Sequence, residues 1–150
     1  MSGAPAPDLL VIGYGNPLRE DDGVGWAAAE LLRAELPAGR ARCIACHQLL
    51  PELAEPASQA GLVLFVDARA VGAPGALELR PVAPDAELPA GMTHTFGPGA
   101  LLALAERLYG RCPPAQLATV AGAWFGYGEG LSPAVRAALP ELVARARALL

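Results

Sequence analysis

Four side chains in this sequence have the chemistry to hold a divalent metal ion. Asp21 and Asp22 stand together within GYGNPLREDDGVG, residues 13 to 25, and Asp67 closes the apolar run LVLFV. His94 lies in THTFG, just ahead of a helical pattern. Carboxylate oxygens with one imidazole suit a divalent first-row ion such as nickel or zinc. Each residue also has a plainer reading. Adjacent acids before a helix can simply match the positive end of its dipole, worth ~0.3–1 kcal/mol, and a loop histidine can be an ordinary polar residue. Asp67 resists the plain reading, because a carboxylate at the end of a buried strand needs a partner to offset its lost hydration.

Other chemistries fit less well. GYGNPL follows a strand-like run and approaches the dinucleotide fingerprint G-x-G-x-x-G, but Leu18 occupies the third glycine position, where close helix packing leaves no room for a side chain. The following helix also starts too late to offer its N-terminus to a pyrophosphate. No Gly-Lys-Ser/Thr phosphate loop is present, and the chain has no lysine. CIACH at 43 to 47 matches the spacing of haem-attachment and redox motifs. ARCIAC reads as a strand, however, where three residues span ~10 Å, beyond the ~7 Å between Cα atoms that a disulfide tolerates. Neither a G-x-S-x-G elbow nor an H-E-x-x-H helix occurs, and the cysteines lack the electropositive setting of a nucleophile.

The elements that must position these residues follow from hydrophobic spacing. DLLVI (8–12), ARCIAC (41–46), LVLFVDA (62–68) and QLATVAGAW (116–124) read as strands, the first and third buried on both faces. ALELRPV alternates as a strand with one exposed face, near a sheet edge. Helices are expected over 24–36, closed by Pro37 and Gly39, from Pro51 with Pro56 bending or shortening it, over about 98–109, and after Ser132-Pro133 with a kink at Pro140. At 150 residues, 53% of them hydrophobic, the chain suits a single domain over 1–150 with a flexible arm at 1–7. Strands alternating with helices imply a three-layer α/β/α sandwich around a mostly parallel sheet of about five strands, one of them antiparallel. Ligands in such sheets collect outside the carboxyl ends of the strands. GYGN, His47, Asp67 and the loop GYGEG with Glu129 would then share one rim. A net charge of −4 without any basic block argues against nucleic acid or an anionic membrane as partner. No stretch reaches the ~20 apolar residues of a membrane span, and the N-terminus lacks a secretory pattern, so a cytoplasmic monomer is expected.

Taken together, the motifs resemble those of the hydrogenase maturation endopeptidases, nickel-dependent proteases that trim the C-terminal tail of a [NiFe] hydrogenase large-subunit precursor. The matching residues are Gly13, Gly15, Asn16, Leu18, Asp21, Asp22, Gly23 and Gly25, then FVDA at 65–68, HTFG at 94–97 and GLSP at 130–133. The resemblance implies that Asp22, Asp67 and His94 ligate the metal and act through it. The nickel would be supplied by the precursor, with zinc or cadmium able to stand in for it. The family's glycine-rich segment after the second strand is replaced here by CHQLLPEL (46–53), which bears on substrate recognition. Asn16, His47 and Gln48 are the candidates for contacting the precursor.

Overall fold

The computed structural model describes residues 5–86 and 96–150. Five strands, β1 (Leu9–Tyr14), β2 (Ala41–Cys46), β3 (Leu62–Arg69), β4 (Leu77–Val82) and β5 (Ala115–Ala121), form one sheet in the order β2-β1-β3-β5-β4. All neighbours run parallel except β4, which lies antiparallel to β5 at one edge. The helices are α1 (Val24–Glu35), α2 (Ala54–Gln59), α3 (Pro98–Tyr109) and α4 (Pro133–Arg147). The expected mostly parallel α/β sandwich is therefore the observed one.

The two faces of the sheet follow from strand alternation. Leu10, Ile12, Val63 and Phe65 point to one side, where Ala54 and Ala57 of α2 and Leu101, Leu102 and Ala105 of α3 cover them. Leu9, Val11, Leu64 and Val66 point to the other, against Ala28 and Leu32 of α1 and Leu142, Val143 and Ala146 of α4. Most of these side chains are wholly buried, and each large one contributes ~1.5–3 kcal/mol by leaving water. Small residues let α1 press onto the sheet. A Cβ on Gly13 would collide with the Gly25 carbonyl, and one on Gly25 would collide with the carbonyls of Tyr14 and Val66.

Two elements, β5 and the segment from Pro51, differ from expectation in instructive ways, and α4 carries Pro140 inside it as expected. β5 stops at Ala121 instead of running to Trp124, because the amides of Ala123 and Trp124 turn away to a carboxylate described below. The segment from Pro51 is a 3-10 turn (Pro51–Leu53) followed by the six-residue α2. Pro56 sits in the first turn of α2, where a missing N–H is least costly. α4 continues through Pro140 to Arg147 as one helix.

Both sheet edges are blunted. Pro81 removes one backbone donor from β4. On β2 the Arg33 guanidinium donates to the Cys43 carbonyl at 2.9 Å. Cys43 and Cys46 are free thiols on this strand, consistent with small apolar strand residues and not with a disulfide.

Candidate metal-binding rim

The chain passes from β1 outward to β2 and then returns to place β3 on the other side of β1. Connections after β1 and β3 thus diverge, and a crevice opens at their carboxyl ends. Asp67 lies near the end of β3, and Asp22 lies in the loop after β1. The topology itself brings these two acids to one place.

The Gly15–Gly23 segment is shaped to present Asp22. Gly15 has φ +141°, a conformation disfavoured for other residues, and its missing Cβ leaves room for the Asp22 carbonyl. Asn16 closes a local turn by accepting the Leu18 amide on Oδ1 at 2.9 Å. Its own amide donates to Asp22 Oδ2 at 2.9 Å. One oxygen of Asp22 is thereby fixed, and the side chain stays partly open to solvent.

Asp67 is set on the face covered by α2 and α3. Gly13 pairs with Val66 in register, so Tyr14 and Asp67 are neighbours on the same face. Asp67 Oδ1 accepts the Ala68 amide at 2.8 Å. Burial pushes the Asp67 carboxyl up to about 6, the nearby Asp22 charge adds to the rise, and the Ala68 amide and Tyr14 hydroxyl oppose it. Burial and the Asp67 charge in turn push the Tyr14 hydroxyl upward, which keeps it a proton donor at neutral pH. A carboxyl whose ionisation is opposed by burial and by a neighbouring acid is a natural seat for a cation, which would relieve the repulsion and replace the hydration that Asp67 has lost.

The adjacent acid has a different job. Asp21 is wholly buried. Its Oδ2 accepts the amides of Ala123 at 2.7 Å and Trp124 at 2.9 Å and the Ser132 hydroxyl at 2.8 Å. Its Oδ1 accepts the Ser132 amide at 2.7 Å. Burial raises its affinity for a proton, but these four donors outweigh that and hold the carboxyl below the ordinary range. The Asp21 amide also donates to the Trp124 carbonyl at 3.0 Å. The Asp-Asp pair therefore splits: one acid ties the 3-10 turn Glu20–Gly23 to the β5–α4 loop, and its neighbour faces the rim. Sequence reading found Ser132 as the start of α4, but not its long-range partner.

His94 lies outside the described residues; the chain resumes at Phe96, which packs on the α2–α3 side of the core. Among the described residues no three His, Cys, Asp or Glu side chains gather as a metal site; of the three anticipated ligands, Asp22 and Asp67 lie close enough for the charge of Asp22 to act on Asp67. His47 and Gln48 are exposed just beyond β2, and the His47 ring meets Trp26 edge-on with centroids 5.0 Å apart. Glu129 is exposed in the β5–α4 loop. Arg69, two residues past Asp67, is fully engaged in holding the β3–β4 turn, through Thr119 Oγ1 at 2.6 Å, Glu78 at 2.8 Å and the Val71 carbonyl at 2.8 Å.

No family model matches the chain, and no curated protein does. Solved structures do. Hydrogenase maturating endopeptidase HybD from E. coli is similar at 26% identity and a TM-score of 0.70, with 93% of this chain and 90% of that chain covered. Hydrogenase 2 maturation peptidase from Thaumarchaeota archaeon SCGC_AB-539-E09 is similar at 25% identity and a TM-score of 0.64, covering 95% and 99%. [NiFe] hydrogenase maturation protease HybD from Thermococcus kodakarensis, at 20% identity, shares the fold with a TM-score of 0.72 over 94% and 97%.

Proposed function

We infer, from a chain that belongs to the hydrogenase maturation endopeptidase family and is a peptidase, that it removes the C-terminal tail of a [NiFe] hydrogenase large-subunit precursor once nickel is in place. The observation that supports this most is the pairing of Asp22 and Asp67 at the divergence of β1 and β3, with Asp67 raised to about 6 by burial and by its neighbour. Asp67 so placed is costly to keep ionised without a cation and has a reason to exist where a cation arrives.

The nickel belongs to the substrate. Asp22, Asp67 and His94 would complete the shell of an ion already held by the precursor, so an empty precursor would gain little from docking. Carboxylate and imidazole donors are harder than thiolate, which suits a passing engagement. With the ion engaged, it would polarise or position the carbonyl of the scissile bond for attack by water, the tail leaving with a protonated amine. Asn16 holds Asp22 in place through its amide, and with His47 and Gln48 it stands at the edge where the precursor would lie. The protease would act as a single cytoplasmic chain.

The test is incubation with nickel-loaded and nickel-free large-subunit precursor, followed by intact mass. Loss of a C-terminal peptide only from the loaded form is expected. Tight binding with no loss of mass would mark a non-proteolytic module that docks on nickel proteins, and would overturn the reading.

A further inference from the structure

The β5–α4 loop and the β1–α1 loop are laced together. The Gly128 amide donates to the Leu18 carbonyl at 2.8 Å and the Glu20 amide to the Gly128 carbonyl at 3.0 Å, while Arg19 donates to the Phe125 carbonyl at 3.1 Å. This lacing has a cost, since Glu20 is held at φ 51°, which a non-glycine residue rarely adopts. What it presents to solvent is apolar: Tyr127 is 94% exposed, Leu18 55% and Trp124 48%. Beside them runs a shallow groove made of two depressions that share Leu131 as a border. One part, of about 140 Å³, is bordered by Pro17, Trp26 and Leu131; the other, an open depression of about 510 Å³, by Leu131, Trp124, Pro133 and Arg136. Leu131 is common to both, and Gly23, next to Asp22, lines the first.

We propose that this groove binds an apolar, carboxylate-bearing segment of the polypeptide substrate, away from the bond that is cut. The proposal rests on the reading of the chain as a processing peptidase. Three observations carry it. A peptidase must accept polypeptide, and the groove is continuous with the loop that presents Asp22. Aromatic side chains fixed on hydrogen-bonded loops bind apolar chain with little loss of their own freedom, as interface anchors do. Finally, Arg136 at the far end is exposed and makes no ion pair among the described residues; its guanidinium reaches only the Leu131 carbonyl, at 3.4 Å. A carboxylate on the incoming segment would complete it.

The chain's two tryptophans, Trp26 and Trp124, both line the groove, so 5-hydroxytryptophan incorporated in this chain alone, excited where ordinary tryptophan does not absorb, reports its occupancy by emission. Titration with nickel-loaded large-subunit precursor is expected to shift the emission to the blue and to saturate. In steady-state processing, Trp124→Ala and Arg136→Glu should each raise KM about tenfold while kcat stays within about twofold. Leu108→Ala, at an exposed site on α3, should change neither. Unchanged KM in both groove variants together with a static emission spectrum overturns the proposal. So does a blue shift that follows the protein's own concentration and accompanies a doubled mass in sedimentation, which would make a second copy the occupant. Failure of the unaltered protein to process any precursor overturns the peptidase reading instead, and the emission shift then decides the groove alone.

Discussion

Ser132 binds both oxygens of Asp21, through its amide at 2.7 Å and its hydroxyl at 2.8 Å. The bond spans 111 positions of the chain and joins the start of α4 to the 3-10 turn that carries Asp22. The same hydroxyl accepts from the Val135 amide at 3.4 Å as the cap of α4. Ser132 thus serves helix and rim together.

Removing the acid from this clamp leaves buried donors without partners. Asp21→Ala is expected to cost about 3 kcal/mol or more, lowering Tm by roughly 6–12 °C for a domain of this size. Asp22→Ala should instead leave urea unfolding within ~0.5 kcal/mol and abolish tail removal. Equal losses of stability in the two variants would contradict the division of labour between these neighbours.

The buried Asp21 and the rim acid Asp67 are shifted in opposite directions, and stability should show it. Asp21 is depressed on folding, so its contribution is present above the ordinary carboxylate value and is lost as pH falls through the folded one. The stability gap between the unaltered protein and Asp21→Asn should therefore narrow below pH ~4.

Asp67 is raised from 3.8 to about 6, so the folded state holds a proton that the unfolded chain releases. Stability then declines as pH rises between those values. Asp67→Asn should make the metal-free protein more stable at pH 7, by on the order of 1–3 kcal/mol, and bring little gain at pH 4. Guanidinium unfolding at both pH values reads the difference. Processing should fall off below about pH 6, where the free protein would carry the carboxyl protonated.

The contact of α1 with the sheet leaves no space for a methyl group. Gly13→Ala places a Cβ against the Gly25 carbonyl and is expected to cost about 3 kcal/mol or more. Thermal melting, or loss of soluble protein at 37 °C, would register it.

Fold and site were legible in the sequence to different depths. Apolar runs ending in polar residues gave β1 and β3, and the rule for carboxyl ends of parallel strands then put Asp67 and the Gly15–Gly23 loop on one rim. Local pattern could not show which acid of the pair faces that rim. The choice depends on Ser132 and on the amides of Ala123 and Trp124, more than 100 positions away. The same long-range demand ended β5 early, since its pattern runs on to Trp124 but the amides there serve Asp21. The exposed aromatics were equally hidden, because Trp124 reads as the end of a strand and Tyr127 as loop filling until the lacing with Leu18 and Glu20 is seen.

The blunted borders of the sheet bear on how the proposed peptidase would meet a polypeptide substrate. A polypeptide substrate with unpaired strands would seek a sheet border as its partner. With Pro81 breaking the row of donors on β4 and Arg33 occupying an acceptor on β2, neither border is a good template for an added strand. A polypeptide bound in the proposed way would then be held by side chains at the carboxyl end of the sheet and not by strand addition.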